Sequence, residues 1–291
     1  MSVQGEYQYL ESQFESAGSL PQLPKSPLRL SKMLDSTDSN PVEIETLILS
    51  DPALTAGLLR SASSVFHARS KPVTTVREAI MVLGFRSLRS MAIALWTQSL
   101  IVEASKKSFF DAGRFTKNGS FTGYLSSSLF RELGTNGSKW TAEEVYAGGV
   151  LSSISLGLLA VLHPVAYDAV YVLSREEACS LERGFMLRYE HEIAELGPLA
   201  ARALGLPEMF EAVIAHVHEP TGAMDFFRPL ACLNYARAVA DSQGFGLPRW
   251  QVEMNVLGSV EQEITITAER LEELIGETRK HTLLHCPANA A

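Results

Sequence analysis

Histidines are the residues of this chain best suited to metal or acid–base chemistry, and their spacing decides whether they can act together. The chain has seven histidines, of which His216 and His218 are the closest pair. Residues i and i+2 project about 200° apart around a helix, so this pair cannot share one ion as an i,i+4 pair can. His191 stands alone, and His163 precedes a proline. The spacing favours surface or hydrogen-bonded histidines over a metal site.

Nucleophilic and redox chemistry is also poorly supported. Ser152 and Ser153 are adjacent hydroxyls without a base at a recognised spacing, and the chain has no GxSxG, GxxxxGK or HExxH segment. The three cysteines, Cys179, Cys232 and Cys286, are far apart and form no CxxC pair. A disulfide scaffold or zinc knuckle is therefore not expected, and a reducing, cytoplasmic compartment fits. We predict no cofactor.

Capping residues predict helices around these side chains. Asn40 can cap a helix that begins at Pro41, and Ser50 or Asp51 can cap one that begins at Pro52. Thr74 or Thr75, and later Thr267, each begin another periodic segment. Apolar residues recur at helical spacing over 85–102. Helices are therefore expected along most of the chain.

Three segments are less regular. Gly84 is expected to end one helix, and two glycines are expected to interrupt the helix from Arg114 to Leu133. Residues 175–189 are expected to form one polar helix, and residues 263–267 show a short strand-like alternation.

Composition indicates a globular protein with a sizeable core. The chain has 291 residues, of which 46% are hydrophobic, and its net charge of −8 argues against a general nucleic-acid binder. Residues 145–167 carry no Asp, Glu, Lys or Arg, which approaches the length of a membrane span. Because this stretch contains serines and a histidine, we predict a buried core helix and no membrane contact.

Four segments of the first third share an order and spacing with a known family. They are LPQLP at 20–24, DPALTAGLLRSASS at 51–64, PVTTVREAIMVLG at 72–84 and FRSLRSMAIAL at 85–95. Together they resemble the HDOD family, the HD-related output domain of bacterial signalling proteins. Ser63 departs from the asparagine that is usual at its position.

The second half resembles the same family in GGVLSSIS at 148–155, ELGPLAARALGLPE at 195–208 and IAHVHEP at 214–220. The resemblance implies an all-α helical bundle of two lobes, of which the first is specific to HDOD proteins and the second is similar to HD-superfamily phosphohydrolases. We expect an N-terminal helix or extension at 1–16, the first lobe at 17–108, the HD-like lobe at 109–240 and a C-terminal helical extension at 241–291.

The resemblance also implies where a metal site would lie. HD hydrolases hold divalent ions with histidines, an adjacent His-Asp pair and a later aspartate, and these ions generate a hydroxide nucleophile. In this chain the matching positions hold Asn118, Ser152, Ser153, Ile193, Val217, His218 and Arg237. Hydroxyl and amide groups are weak ligands and arginine repels a cation, so the resemblance implies a degenerate site without enzymatic activity.

Arg237 carries a specific structural expectation. If the alignment holds, its guanidinium points into the degenerate pocket and donates hydrogen bonds to oxygens of Ser152, Ser153 and Asn118, with a nearby carboxylate or bound anion completing the set. In the alternative assignment Arg237 lies on the surface and Asp241 is the equivalent of the late aspartate.

A basic segment offers a candidate docking surface. Residues 60–89 contain six cations and only Glu78 as an acid. The candidate docking residues are Arg60, Phe66, Arg69, Lys71, Arg86 and Arg89. They form either an ordinary solvated face or a surface for another signalling protein with an acidic segment, a nucleotide or a nucleic acid.

The sequence therefore predicts a non-catalytic signal-transduction output or scaffold module that binds a protein partner. Two alternatives stay open: a metal-dependent phosphohydrolase acting on a cyclic dinucleotide or other nucleotide, and a nucleic-acid-binding regulator. Metal content distinguishes the first alternative, and salt-dependent nucleic-acid binding distinguishes the second.

Overall fold

The computed structural model describes residues 2–16, 30, 33–34, 40–65, 73–104, 108–135, 137–203, 206–250 and 256–286. Throughout these ranges the regular elements are helices, and a single isolated bridge joins Ser180 and Arg249. The all-α prediction is confirmed. The short strand suggested by the alternation at 263–267 is not formed. A short helix ends at Glu263, and Thr267 caps the next helix.

The first part of the chain contributes four helices to the described structure. They are α1 (Val3–Glu15), α2 (Pro41–Leu49), α3 (Pro52–Val65) and α4 (Val76–Ala104). Gly84 bends α4, because its φ of 69° and ψ of 167° are not helical. Glycine tolerates positive φ, so the expected break at this residue is present as a kink.

The rest of the chain forms ten more helices within the described residues, with two short 3₁₀ turns at Pro220–Gly222 and Met224–Phe226. The helices are α5 (Ala112–Leu133), α6 (Ala142–Leu151), α7 (Ile154–Leu162), α8 (Pro164–Glu176), α9 (Leu181–Tyr189), α10 (Ile193–Ala203), α11 (Glu208–His216), α12 (Phe227–Ser242), α13 (Gly258–Glu263) and α14 (Ala268–His285).

Side-chain caps begin several helices as predicted. Asn40 accepts a hydrogen bond from the Val42 amide at 3.0 Å, and Asp51 accepts one from the Leu54 amide at 3.0 Å. The Thr267 hydroxyl accepts from the Arg270 amide at 3.3 Å at the start of α14. Each cap satisfies an amide that has no partner within its helix.

The glycines of α5 do not interrupt it, contrary to the sequence-based expectation. Helix α5 is continuous over Ala112–Leu133, and Gly123 lies against α6. A Cβ atom on Gly149 of α6 would lie 2.4 Å from the Cα of Gly123. These glycines therefore allow two helix backbones to approach more closely than side chains would permit.

Two apolar cores hold the helices together. The larger core joins Leu58 and Met91 of the first part of the chain to Leu158 and Phe185 of the second. The smaller core is built around Phe121 and packs α5, α11, α12 and α14 together. Residues Ala142–Leu162 are long and apolar enough to cross a membrane, but 89% of their 18-residue hydrophobic window is buried, as expected of a core segment.

Helix α1 packs on α9 and α10, far from it in sequence. The Tyr7 hydroxyl donates to Glu195 Oε2 at 3.2 Å, and the Tyr7 ring stacks on His191 with ring centroids 3.8 Å apart. Arg188 forms an ion pair with Glu6 at 3.0 Å. The N-terminal helix is thereby fastened to α9 and α10.

Candidate functional site

Arg237 lies at the centre of a mostly buried polar network formed by α5, α9, α12 and the turn at Ser152–Ser153. Helix α12 places its guanidinium so that Nη1 donates to the carbonyl of Ser152 at 3.1 Å and to Ser153 Oγ at 2.9 Å. Nη2 donates to Glu182 Oε1 at 3.0 Å. The side chains of Arg237 and Glu182 are only 15% and 19% exposed. The alternative in which Arg237 is a surface residue is therefore wrong.

The two serines and the asparagine contribute unequally to this network. Ser153 Oγ donates to Asn118 Oδ1 at 3.1 Å, so Asn118 reaches Arg237 only through Ser153. The hydroxyl of Ser152 instead donates to the Gly149 carbonyl of its own helix at 2.8 Å. Ser152 therefore accepts from Arg237 through its backbone carbonyl and not through its hydroxyl. The expected hydrogen bond from Arg237 to Asn118 is replaced by a link through Ser153.

Glu182 is the carboxylate that completes the network, and the sequence did not single it out. The single polar helix expected at 175–189 is instead two helices, because α8 ends at Glu176 and α9 begins at Leu181. Ser180 caps α9 by accepting from the Arg183 amide at 3.2 Å. This start places Glu182 in the first turn of α9, facing α12. The Ser180 cap was the available sequence signal.

The cavity at this network is very small. It measures about 10 Å³, which is room for roughly one water molecule. Asn118, Ser153, Glu182, Arg237 and Asp241 line it, together with Ser180, Leu247, Pro248 and Arg249. Asp241 forms an ion pair with Arg249 at 2.8 Å. A nucleotide does not fit in this space.

The remaining degenerate positions lie elsewhere. Val217 is buried in the smaller core. Ile193 is buried at the start of α10, and both it and the exposed His218 line a second, larger pocket of about 570 Å³. The structure therefore brings Asn118, Ser153 and Arg237 together around the small cavity and leaves Ile193, Val217 and His218 outside it.

A divalent metal ion does not fit the residues of the small cavity. Its polar groups are a hydroxyl, an amide and two Arg–carboxylate ion pairs, so its carboxylates already have cationic partners. Over the ranges that the structure describes, no group of three His, Cys, Asp or Glu residues is placed to hold a metal. The guanidinium of Arg237 fills the position that the family resemblance assigns to a ligand.

Comparison with known proteins identifies the family. The sequence model of the HDOD domain matches residues 20–220, which is more than half of the chain. This chain belongs to the HDOD domain family. No curated protein matches it.

Solved structures agree on the fold of this HDOD protein. An HDOD domain protein of unknown function from Geobacter sulfurreducens matches with a TM-score of 0.72 and 18% identity, over 91% of this chain and 93% of that one. A candidate metal-dependent phosphohydrolase from Shewanella amazonensis SB2B matches with a TM-score of 0.65 and 16% identity, over 98% and 100% of the two chains. A candidate signal transduction protein from Marinobacter aquaeolei VT8 matches with a TM-score of 0.65 and 18% identity, over 92% of this chain and 59% of that one.

The candidate docking surface predicted from the sequence is only partly described. Phe66, Arg69 and Lys71 lie outside the described residues, as does the side chain of Arg60. The LPQLP segment at 20–24 also lies outside them. Arg89 is described and partly buried.

Arg86 is described, and its charge is already paired within the chain. It pairs with Glu144 Oε1 at 2.6 Å and donates to the Lys139 carbonyl at 3.0 Å. Glu144 is almost fully buried and belongs to the capping box at the start of α6. Arg86 therefore stabilises a helix start, and because 62% of its side chain is exposed, its part in docking stays a prediction.

The ion pair at the small cavity and the nearby imidazole have displaced pKa values. Burial is the largest single influence on Glu182 and would raise its pKa. The charge of Arg237, together with the nearby charges of His218 and Arg249 and a backbone hydrogen bond, outweighs burial and holds the pKa at about 2. His218 keeps exposed surface, but the surrounding atoms of the pocket displace water from its imidazole. This desolvation and the charge of Arg237 lower the pKa of His218 to about 4, against the attraction of Glu182. Glu182 therefore stays ionised and His218 stays neutral at pH 7.

We expect the stability of the HDOD protein to fall between pH 6.5 and 4 partly because of His218. Over this range an unfolded histidine takes up a proton, at a pKa of about 6.5, while the folded His218 stays neutral down to about pH 4. The unfolded state then binds more protons, so falling pH favours it. Urea unfolding of the parent and of His218→Gln at pH 7 and pH 4.5 measures this, and the variant should lose less stability. If the parent and the variant lost equal stability between pH 7 and pH 4.5, the lowered pKa of His218 would be contradicted.

Proposed function

We propose that this HDOD protein is a non-catalytic signal-transduction module that acts by binding a protein partner. The observation that carries the proposal is the Arg237–Glu182 ion pair at the position where the family resemblance places a metal ion. A fixed positive charge at that position repels a divalent cation, and Glu182 is already neutralised by the guanidinium.

Metal-assisted hydrolysis requires an ion with an open coordination position for water or substrate. The cavity of about 10 Å³ provides no such space while Arg237 occupies it. The polar groups around it bond to one another, through Ser153 to Asn118 and through Arg237 to Ser153. The network therefore ties α5, α9 and α12 to the start of α7, which is a structural role.

We expect the purified protein to take up no stoichiometric metal and to hydrolyse no phosphodiester. The experiment incubates the protein with excess Mn²⁺, Fe²⁺, Zn²⁺ or Ni²⁺, removes unbound ions, and measures metal content by elemental analysis. Hydrolysis is then followed with bis(p-nitrophenyl) phosphate and with a cyclic dinucleotide. One ion per chain bound in the second lobe, together with turnover that a chelator abolishes, would overturn the non-catalytic assignment.

Partner binding is tested separately. We propose that the partner is another signalling protein and that both are cytoplasmic. The net charge of −8 and the ion-paired Arg86 speak against a nucleic acid as the main partner. Affinity capture of the native protein followed by identification of the bound proteins tests this, with and without nuclease. Capture that nuclease abolishes would support the nucleic-acid regulator instead.

A further inference from the structure

The larger pocket is lined by both apolar and polar residues. Its volume is about 570 Å³, and most of its lining is apolar. The apolar part consists of Ile193, Ala194, Pro198, Ala215 and Leu257. The polar part consists of Glu182, Glu192, Glu195, Glu219 and His218. A pocket of this volume has room for one or two amino-acid side chains.

The carboxylates of this pocket differ in how they are already bonded. Glu182 pairs with Arg237 at the inner end of the pocket. Glu195 is held in place by Tyr7, by His191 at 3.1 Å and by the amide of Glu192 at 3.0 Å. Glu192 and Glu219 are exposed, and neither side chain has an ion pair within the described part of the chain. The pocket therefore has a fixed carboxylate beside two that lack a cation.

We infer that this pocket receives an arginine or lysine side chain from a peptide segment of the partner protein. The inference rests on the proposed function and names the chemistry of the partner. It also differs from the sequence-based expectation, in which an acidic segment of the partner contacts the first lobe.

The residues that line the pocket favour a long basic side chain. Long basic side chains place an aliphatic stem on apolar surface and leave the charged end at a polar rim, which matches the apolar lining and the carboxylates at Glu192 and Glu219. Ionised carboxylates form strong hydrogen bonds with guanidinium and ammonium groups. A phosphate or an acidic peptide would face four carboxylates, while the nearby Arg237 is already paired.

Preorganisation supports the same occupant. The two oxygens of Glu195 accept three hydrogen bonds, so its charge is fixed before a ligand arrives. His218 is neutral at pH 7 and adds no competing positive charge. A site that is already ordered loses less conformational entropy when it binds a ligand.

The test uses the full chain with ¹³C-labelled methyl groups and a synthetic probe, the pentapeptide acetyl-Ala-Leu-Arg-Leu-Ala-amide. A matched pentapeptide carries citrulline, which has nearly the shape of arginine and no charge. We expect the arginine peptide to shift the methyl signals of Ile193, Ala194, Ala215 and Leu257 saturably. The citrulline peptide should bind about tenfold more weakly, because it lacks the charge.

Two double variants separate the pocket from general charge attraction. Glu192→Gln with Glu219→Gln should weaken binding of the arginine peptide by about threefold to tenfold. Glu269→Gln with Glu272→Gln removes two exposed carboxylates from α14 and should bind like the parent. The proposal is overturned if the citrulline peptide binds equally, if the shifted methyl groups lie elsewhere, if both double variants weaken binding equally, or if no signal moves.

The result of the peptide experiment can be distinguished from the result that tests the proposed function. Metal content and phosphodiester hydrolysis are measured on the same preparation. A preparation without metal or hydrolysis that also ignores the peptide refutes the basic-segment inference and leaves the non-catalytic module standing. A preparation that binds metal and hydrolyses the substrate refutes the proposed function itself.

Discussion

Gly149→Ala is expected to lower the free energy of unfolding by about 3 kcal/mol or more. A Cβ atom at this position would lie 2.4 Å from the Cα and 2.5 Å from the amide nitrogen of Gly123. Both contacts are with backbone, so no side-chain rotation relieves them, and α5 and α6 must move apart. Chemical denaturation of the parent and the variant measures the change.

The matched control is Gly276→Ala in α14. A Cβ atom there meets nothing within 4 Å, and Gly276 is helical. Alanine is the better helix former, so this variant should be neutral or more stable by up to about 1 kcal/mol. If Gly149→Ala were as stable as Gly276→Ala, the close approach of α5 and α6 would be disproved.

Arg237→Ala is expected to lower the free energy of unfolding by about 2 to 4 kcal/mol. The substitution leaves the half-buried carboxylate of Glu182 without its cation and removes a donor from Ser153 and from the Ser152 carbonyl. Arg237→Lys should recover only part of this loss, because one ammonium cannot reproduce the planar arrangement of donors. Urea denaturation at pH 7 measures all three proteins.

A double-mutant cycle with Glu182→Gln isolates the ion pair. If Arg237 and Glu182 stabilise each other, the double variant loses less stability than the two single losses added together, by about 1 to 3 kcal/mol. Arg249→Ala, which removes the neighbouring pair with Asp241, serves as a comparison. If Arg237→Ala unfolded at the same urea concentration as the parent, this network would contribute nothing to stability.

Local features were predictable from the sequence because their causes are local. The caps at Asn40, Asp51 and Thr267 each involve an amide two or three residues away. The bend at Gly84 depends on the conformation of one residue. Helix glycines are different, because Gly149 acts through Gly123 on another helix and its sequence context does not reveal that neighbour.

The candidate site was predictable only in part. The family resemblance placed Arg237, Ser153 and Asn118 near one another, and the structure joins them through hydrogen bonds. Glu182 was missed because it is 55 residues from Arg237 and belongs to a helix whose start was placed too early. The ion pair of Arg86 was missed for the same physical reason, since its partner Glu144 is 58 residues away.

The packing of α1 on α9 and α10 has a consequence for how the chain is made. Tyr7 and Glu195 are 188 residues apart, so their contact cannot form until most of the chain has left the ribosome. At typical synthesis rates this takes about 10 to 40 s. During that time Tyr7, Leu10 and Phe14, which are buried in the finished protein, have no α9 or α10 surface to cover them. These apolar side chains therefore stay exposed for that interval, and exposed apolar side chains are prone to aggregate.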